Sequence, residues 1–438
     1  MLTAVMLIAA AGMRANAQDA RKLTVDEAVQ MSIQNSKQLR ISKAKVDEAT
    51  ATLHEARDNK LPDVKASGAY LRIDNPNVDL KVKLGSSSTT TGEPQKSSTI
   101  KVDQALYGIV NVSLPLFSGL RIHYGIESAK YLEKAAQLDA DNDRQAVIEN
   151  TINAYSNLYK AKKSVELVNE NLSRSKQRVS DFSSMEQNGL MARNDLLKAQ
   201  LESSNIELSL LDAENNYKIA SINMALMLGM PENTEIMPDS ASLEQMQDSK
   251  NITDWEQGAL QNRKDIQALN YRHKAANAHI RSIKGEYYPG IALTGGYIAA
   301  DIPNLLTITN AINGGIGLQY NIGSLWKTGA KVAQARAREQ QIEANEAMLD
   351  DQVRIQISQA YQNYLLNQKK TEVYNKAVEQ ANENYKITKN KYDNSLVTTT
   401  DLLDADLAQL QAKLNYEYSK ADAFVAYKRL LQTAGMLN

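Results

Sequence analysis

The stretches NGLMARNDLLKAQ at residues 188–200 and NSLVTTTDLLDAD at residues 394–406 are two versions of one pattern. In each, a short turn precedes an aspartate and an aliphatic pair, and Gly189 and Asp195 align with Ser395 and Asp401 at one constant offset. The same offset carries Tyr155 to Tyr361 and Gly229 to Gly435. Further upstream it is larger, pairing Asn35 with Asn262, Pro62 with Pro289 and Tyr70 with Tyr297. The surplus lies in the first copy, where the low-complexity run GSSSTTTGEPQKSST occupies residues 85–99. The chain is thus written twice, with one extended loop. Such a duplication is the plan of a quasi-symmetric assembly and a poor plan for an active site.

Each copy opens with a helix-period segment, residues 23–59 and 253–286, closed by Pro62 and Pro289. Thr24 followed by Glu27 suits a capping box at the first of these. Alternation then takes over. Leu106, Val110, Val112, Leu114 and Leu116 share one face, and Ile312, Ile316, Leu318, Tyr320 and Ile322 oppose Asn313, Gly315, Gly317, Gln319 and Asn321. With weaker partners at residues 64–73 and 291–300, this predicts four two-faced strands of about ten residues each. Long helices follow at residues 121–188 and 329–394, free of proline and almost free of glycine. At 1.5 Å per residue each could run about 100 Å. The return helices carry a three-four alternation that includes Leu196, Ala199, Ile206, Ala213, Tyr217 and Met224, and in the second copy Leu402, Ala405, Ala412, Ser419, Ala423 and Leu430. A 3.5-residue repeat with small residues in the seam means close coiled-coil packing. Tyr374, Tyr385 and Tyr392 fall in such a repeat and read as packing residues.

Four strands of spanning length cannot close a barrel, because an open edge in lipid leaves backbone groups unpaired. Strands must be pooled between chains. Two chains would give eight strands and a lumen that side chains fill, and three would give twelve and room for water. A soluble sandwich is the alternative, and it leaves both the export signature and the long helices without a purpose.

Composition narrows the class. With 50 basic and 51 acidic residues the chain has no electrostatic footprint for nucleic acid. It has no cysteine, which excludes disulfides, thiolate chemistry and an acylated N-terminal cysteine, so it is not a lipoprotein. The four histidines show no metal-binding spacing, and no phosphate-binding loop or nucleophile elbow occurs. No cofactor and no enzymatic activity are expected. Residues 1–14 form a short apolar stretch followed by Ala15-Asn16-Ala17, the signature of a signal peptide cut before Gln18, although no Lys or Arg precedes the apolar core. No segment reaches the roughly 18 consecutive apolar residues of a transmembrane helix. The chain therefore divides into a signal peptide (1–17), repeat 1 (18–230), a polar linker (231–252) and repeat 2 (253–438).

The two tips, in register with two strand pairs, resemble those of the TolC-type outer-membrane efflux protein family. The resemblance runs through helix, strand pair, long helix, tip, return helix and the terminal Leu228-Gly229-Met230 and Ala434-Gly435-Met436. It implies a mainly α-helical chain with transmembrane β-strands. Three protomers would form a 12-stranded β-barrel in the outer membrane of a Gram-negative bacterium, continued by a long periplasmic α-helical coiled-coil barrel. It implies the exit duct of a tripartite efflux or type I secretion system, a homotrimer in outer-membrane lipid, working with a periplasmic adaptor and an inner-membrane pump. By the same resemblance Asp401 and Asp404 constrict the periplasmic entrance, while Tyr392 and Asp195 latch the hairpins. The basic residue expected near Val397 is absent. Gly189, Leu190, Ser395 and Leu396, at the exposed turns, are expected to contact the adaptor. The rival readings are a periplasmic adaptor, which would have one hairpin, and a structural coiled-coil envelope protein, which has no use for alternating strands.

N-terminal sequencing of the membrane-extracted protein is expected to begin at Gln18. A mature chain that retains Met1 would contradict the export signature.

Overall fold

The computed structural model describes residues 21–74, 102–239, 250–303 and 305–437. The expected signal peptide and the low-complexity run at 85–99 lie outside the described residues. The chain divides into two compact units, one of residues 1–45, 137–268 and 346–438, the other of residues 46–136 and 269–345.

In the first unit, α1 (Val25–Asn35) starts at the expected capping box, with the Glu27 N–H donating to Thr24 Oγ1 at 3.3 Å. The single helix expected over 23–59 is instead two. Ser36 is extended (ψ 120°), and α2 restarts over Lys37–Asp58. The second copy breaks in the same way: α5 (Ile252–Asn262) ends at an extended Arg263 (ψ 126°), and α6 spans Lys264–Lys284. Each break receives the end of that copy's return helix. α4 (Arg193–Leu228) closes on Gly229 at φ 71°, and Asn35 Nδ2 donates to the Leu228 carbonyl at 2.8 Å. α8 (Thr399–Thr433) is followed by Gly435 at φ 70°, and Arg263 Nη1 donates to the Thr433 carbonyl at 3.3 Å. Helix ends leave carbonyls without intrahelical partners, and a side chain from the break satisfies one of them. The contact is close in both copies. A Cβ on Gly229 would lie 2.9 Å from Asn35 Cβ, and one on Gly435 would lie 2.8 Å from the Arg263 nitrogen.

The segment 231–252, read as a linker, carries a short strand. β1 (Arg21–Leu23) pairs in parallel with β4 (Ile236–Pro238). Tyr155, fully buried in α3 (Arg121–Gln187), secures this ladder: its hydroxyl donates to the Leu23 carbonyl at 2.7 Å and accepts from the Asp239 N–H at 2.8 Å. The core around it contains Leu158, Met224, Leu228 and Phe424. A second core gathers Trp255, Val353, Ile357, Tyr364 and Leu430, with Tyr361, the counterpart of Tyr155, packed against it. The expected seams are in place: Leu196, Ala199, Ile206, Ala213 and Met224 are buried on α4, and Leu402, Ala405, Ala412, Ser419, Ala423 and Leu430 on α8.

In the second unit, β2 (Asp63–Arg72), β3 (Gln104–Phe117), β5 (Gly290–Ile302) and β6 (Leu306–Gln319) form one antiparallel sheet in the order β2-β3-β5-β6. The register places Tyr70 opposite Leu106, Val110 opposite Tyr297, and Tyr297 opposite Ile312. Ile312, Ile316 and Leu318 are 82, 74 and 71% exposed. Among the described residues, β2 and β6 have no neighbouring strand on their outer sides. The second long helix, α7, spans Ser324–Asp393, beginning before the expected 329. No helix among the described residues is long and apolar enough to cross a membrane.

Gly229→Ala and Gly189→Ala separate conformational from steric cost, since both positions have φ near 70° but a Cβ on Gly189 meets nothing within 4 Å. Gly189→Ala should cost about 1–2 kcal/mol for the left-handed backbone. Gly229→Ala should cost about 1–3 kcal/mol more from overpacking. Melting midpoints followed by circular dichroism should fall in that order, and equal midpoints would contradict the helix-break contact.

Candidate functional site

The two hairpin tips are closed by the same backbone device. Gly189 (φ 72°) and Ser395 (φ 61°) are both left-handed. The N–H of Gly189 donates to Glu186 O and that of Leu190 to Met185 O, while the N–H of Ser395 donates to Tyr392 O and that of Leu396 to Lys391 O. These are paired 5→2 and 6→1 bonds, which end a helix by reversing it. The turn then projects a leucine: Leu190 is 73% and Leu396 72% exposed. Below the turns a buried cluster of Phe182, Leu196, Ala199 and Leu402 packs the two hairpins together, with Tyr385 and Tyr392 against it.

The return helices start differently. α4 begins after Ala192, which makes no side-chain cap, and Asp195 lies half-buried in its first turn. α8 begins at Thr398 with a full capping box. Asp401 Oδ2 accepts from the Thr398 N–H at 2.8 Å and from its hydroxyl at 2.7 Å, and the Asp401 N–H donates back to Thr398 Oγ1 at 3.2 Å. Thr398, through its hydroxyl and its N–H, holds the Asp401 carboxyl below its ordinary range. Asp401 thus serves the helix start. Asp404 is exposed and makes no hydrogen bond or ion pair among the described residues, so its charge is uncommitted.

Tyr392 and Asp195 line one cavity of about 840 Å³, together with Val397 and Lys198, yet no hydrogen bond joins them. The Tyr392 ring lies 5.6 Å from that of Phe182, and its hydroxyl is 3.5 Å from Thr399 Oγ1. Asp195 faces Lys198 at 3.5 Å, and Lys198 Nζ also donates to Thr400 Oγ1 of the second hairpin at 3.3 Å. The Tyr392 ring packs in the apolar cluster, and the contact from Asp195 to the second hairpin runs through Lys198 to Thr400.

Sequence periodicity missed the most buried charge of the tip region. Asp406 on α8, 4% exposed, accepts from Arg178 Nη2 of α3 at 2.6 Å, and Arg174 Nη2 stands 3.7 Å from its other oxygen. Burial works against the charge on Arg178, but the Asp406 carboxylate outweighs it and raises the guanidinium above its ordinary range. The only sequence signal is that Asp406 flanks the seam residues Ala405 and Gln409, a place where an acidic residue has to be paired.

The sequence profile of the outer membrane efflux protein family matches residues 28–230 and 255–436. The outer membrane efflux protein BepC of Brucella suis biovar 1 (strain 1330) is 24% identical over 323 residues, covering 71% of this chain and 68% of the relative. Among solved structures, CusC superposes with a TM-score of 0.78 at 17% identity, covering 94% of this chain and 92% of that one. The outer membrane protein VceC of Vibrio cholerae gives 0.74 at 18% identity, covering 94% and 96%. The Campylobacter jejuni CmeC outer membrane channel gives 0.75 at 16% identity, covering 94% and 85%. At these identities the structural likeness is one of fold, and it extends over nearly the whole chain.

The lowered Asp401 carboxyl sets the acid behaviour of the second tip. A group whose folded pKa is depressed contributes stability that is present above its unfolded value, roughly pH 4, and lost as the pH falls through the folded value. Hydrogen–deuterium exchange over residues 394–406, corrected for intrinsic rates, should show lower protection at pH 3 than at pH 5. Thr398→Ala should lower protection at pH 5 and abolish most of the difference. A Thr398→Ala tip with the unmodified pH dependence would contradict the capping role.

Proposed function

Because this chain belongs to the outer membrane efflux protein family, we propose that it is the outer-membrane exit duct of a tripartite efflux or type I secretion machine. It conducts passively and is not an enzyme. The observation that carries this reading is the four-stranded sheet with two open edges and exposed Ile312, Ile316 and Leu318. In lipid an apolar face is favourable but an unpaired edge is not. Three chains joined edge to edge supply a closed 12-stranded barrel. The hairpins of three chains then pool into the periplasmic part, a coiled-coil barrel. Two hairpins per chain favour this over an adaptor, and a spanning sheet favours it over a purely structural coiled coil. Export by a signal peptide cut after Ala17, without lipid attachment, completes the route to the outer membrane.

At the periplasmic entrance we assign the constriction to Asp404 and Asp401. Both lie on one face of α8, three residues apart, so threefold symmetry gathers six carboxylates. Asp404 contributes the freer charge and Asp401 divides its carboxylate between the ring and the helix start. Tyr392 and Asp195 act in holding the hairpins closed, through Thr399 and through Lys198 and Thr400. Gly189, Leu190, Ser395 and Leu396 offer the adaptor two similar turns, each with one projecting leucine. Energy comes from the inner-membrane pump, which the duct meets through the adaptor.

In planar bilayers the protein should form cation-selective channels blocked by a trivalent cation, as a ring of fixed carboxylates requires. Asp401→Ala combined with Asp404→Ala should raise or reshape conductance, weaken selectivity and relieve block. A double variant with unchanged reversal potential and block would move the gate elsewhere. In the cysteine-free background, Ser395→Cys should crosslink to a periplasmic adaptor in cells. Labelling of that cysteine only by extracellular reagents would invert the topology.

A further inference from the structure

Asp406 lies two residues beyond Asp404 on α8, and its charge is directed into the contact with α3. Its side chain is 4% exposed and that of Arg178 10%. A buried ion pair adds little stability over a well-packed apolar pair, whereas a buried charge stripped of its partner costs several kcal/mol. What such a pair fixes is position. This one joins α3 of the first hairpin to α8 of the second, near their tips, so α8 cannot leave α3 without stranding both charges.

The surroundings of the pair are only partly satisfied. Asp406 Oδ1, Arg178 Nη1 and Arg174 Nε are buried without hydrogen-bond partners among the described residues. Arg174 lies four residues before Arg178, one helical turn along the same face of α3. Its Nη1 is held by Glu170 at 2.6 Å while its Nη2 reaches to 3.7 Å from Asp406 Oδ1. The carboxylate is therefore bonded to one guanidinium and faces a second, one turn further from the tip. A slide of α8 along α3 of up to one turn, about 5.4 Å, would hand Asp406 from Arg178 to Arg174 without leaving it unpaired.

We propose that Arg178 and Arg174 are positioning residues that clamp Asp406 at two stations, the Arg178 station holding α8, and with it Asp404, in the narrow state of the tip. The clamp rests on the reading of Asp401 and Asp404 as the constriction.

Single-channel recording of the reconstituted trimer tests it, with native mass as the check on assembly. Arg178→Ala and Asp406→Asn should each raise the resting conductance several-fold while the trimer persists. Arg178→Lys, which keeps the positive charge at the first station, should leave it close to the unmodified level. Arg174→Ala should add a further rise in the Arg178→Ala background. Where a single variant fails to assemble, Arg178→Met with Asp406→Leu removes both buried charges and should assemble as an open channel. Assembled variants that keep the resting conductance of the unmodified protein, or an Arg178→Lys channel as open as Arg178→Ala, would overturn the clamp. Asp404→Asn reads the constriction separately. Unchanged cation selectivity in that variant would overturn the ring of carboxylates, while the conductance of the Arg178 and Asp406 variants would still decide the clamp.

Discussion

The outer edges of β2 and β6 carry backbone N–H and C=O groups that no strand pairs among the described residues, and in hydrocarbon each unpaired group costs several kcal/mol. Every larger feature of the proposed assembly answers to that constraint. A single four-stranded sheet cannot remove its own edges, so the protein has to be a component. The duplication supplies two strand pairs that already join to one another through β3 and β5, leaving one edge at each end to be met by other chains. The exposed isoleucines of β6, a liability in water, become a lipid-facing surface once the edges are paired.

Duplication also explains how long helices keep a defined register. A seam of alanines and serines allows close approach but places weak limits on sliding, because small side chains interlock less than large ones. Register is set at the ends. At one end the left-handed Gly229 and Gly435 seat each return helix in a helix break, and near the tips the Arg178–Asp406 pair and the Phe182 cluster tie one hairpin to the other. Between these points α3 and α8 are joined by Tyr159 to Glu417 at 2.6 Å and by Lys160 to Asp422. The two copies are near equivalents at the glycine end and diverge at the tips. There the first copy has an uncapped helix start and Lys198, and the second has a full capping box and Asp404. The proposed constriction lies where the symmetry fails.

Much of this was legible in the sequence because it is periodic. The alternation of β6, the three-four seam of α8 and the aligned Asn35, Asn262, Gly229 and Gly435 each repeat a spacing, and spacing survives without coordinates. The aligned asparagines and glycines were visible as markers of duplication, but their contact was not, since proximity between residues so far apart in the chain has no local signature. The same limit hid the breaks at Ser36 and Arg263, where helix-favouring flanks read as continuous and tertiary contact decides otherwise. It also hid β4, three residues whose parallel partner β1 lies some two hundred positions away. At the tip, it was the family resemblance that drew Asp401, Asp404, Tyr392 and Asp195 together and paired Tyr392 with Asp195, and residue spacing alone assigned no partners. In the structure Asp401 turns to Thr398, Tyr392 to Phe182 and Thr399, and Asp195 to Lys198, and nothing in the spacing singled out the buried Asp406.

The central claim is that these edges are paired between chains, three at a time. Native mass measurement of the detergent-extracted protein, with released detergent, tests it most directly. The account predicts one species of three chains. A stable species of one chain that retains the β-sheet signal would mean the edges are closed within the protomer, and the barrel assembled from three copies would be wrong.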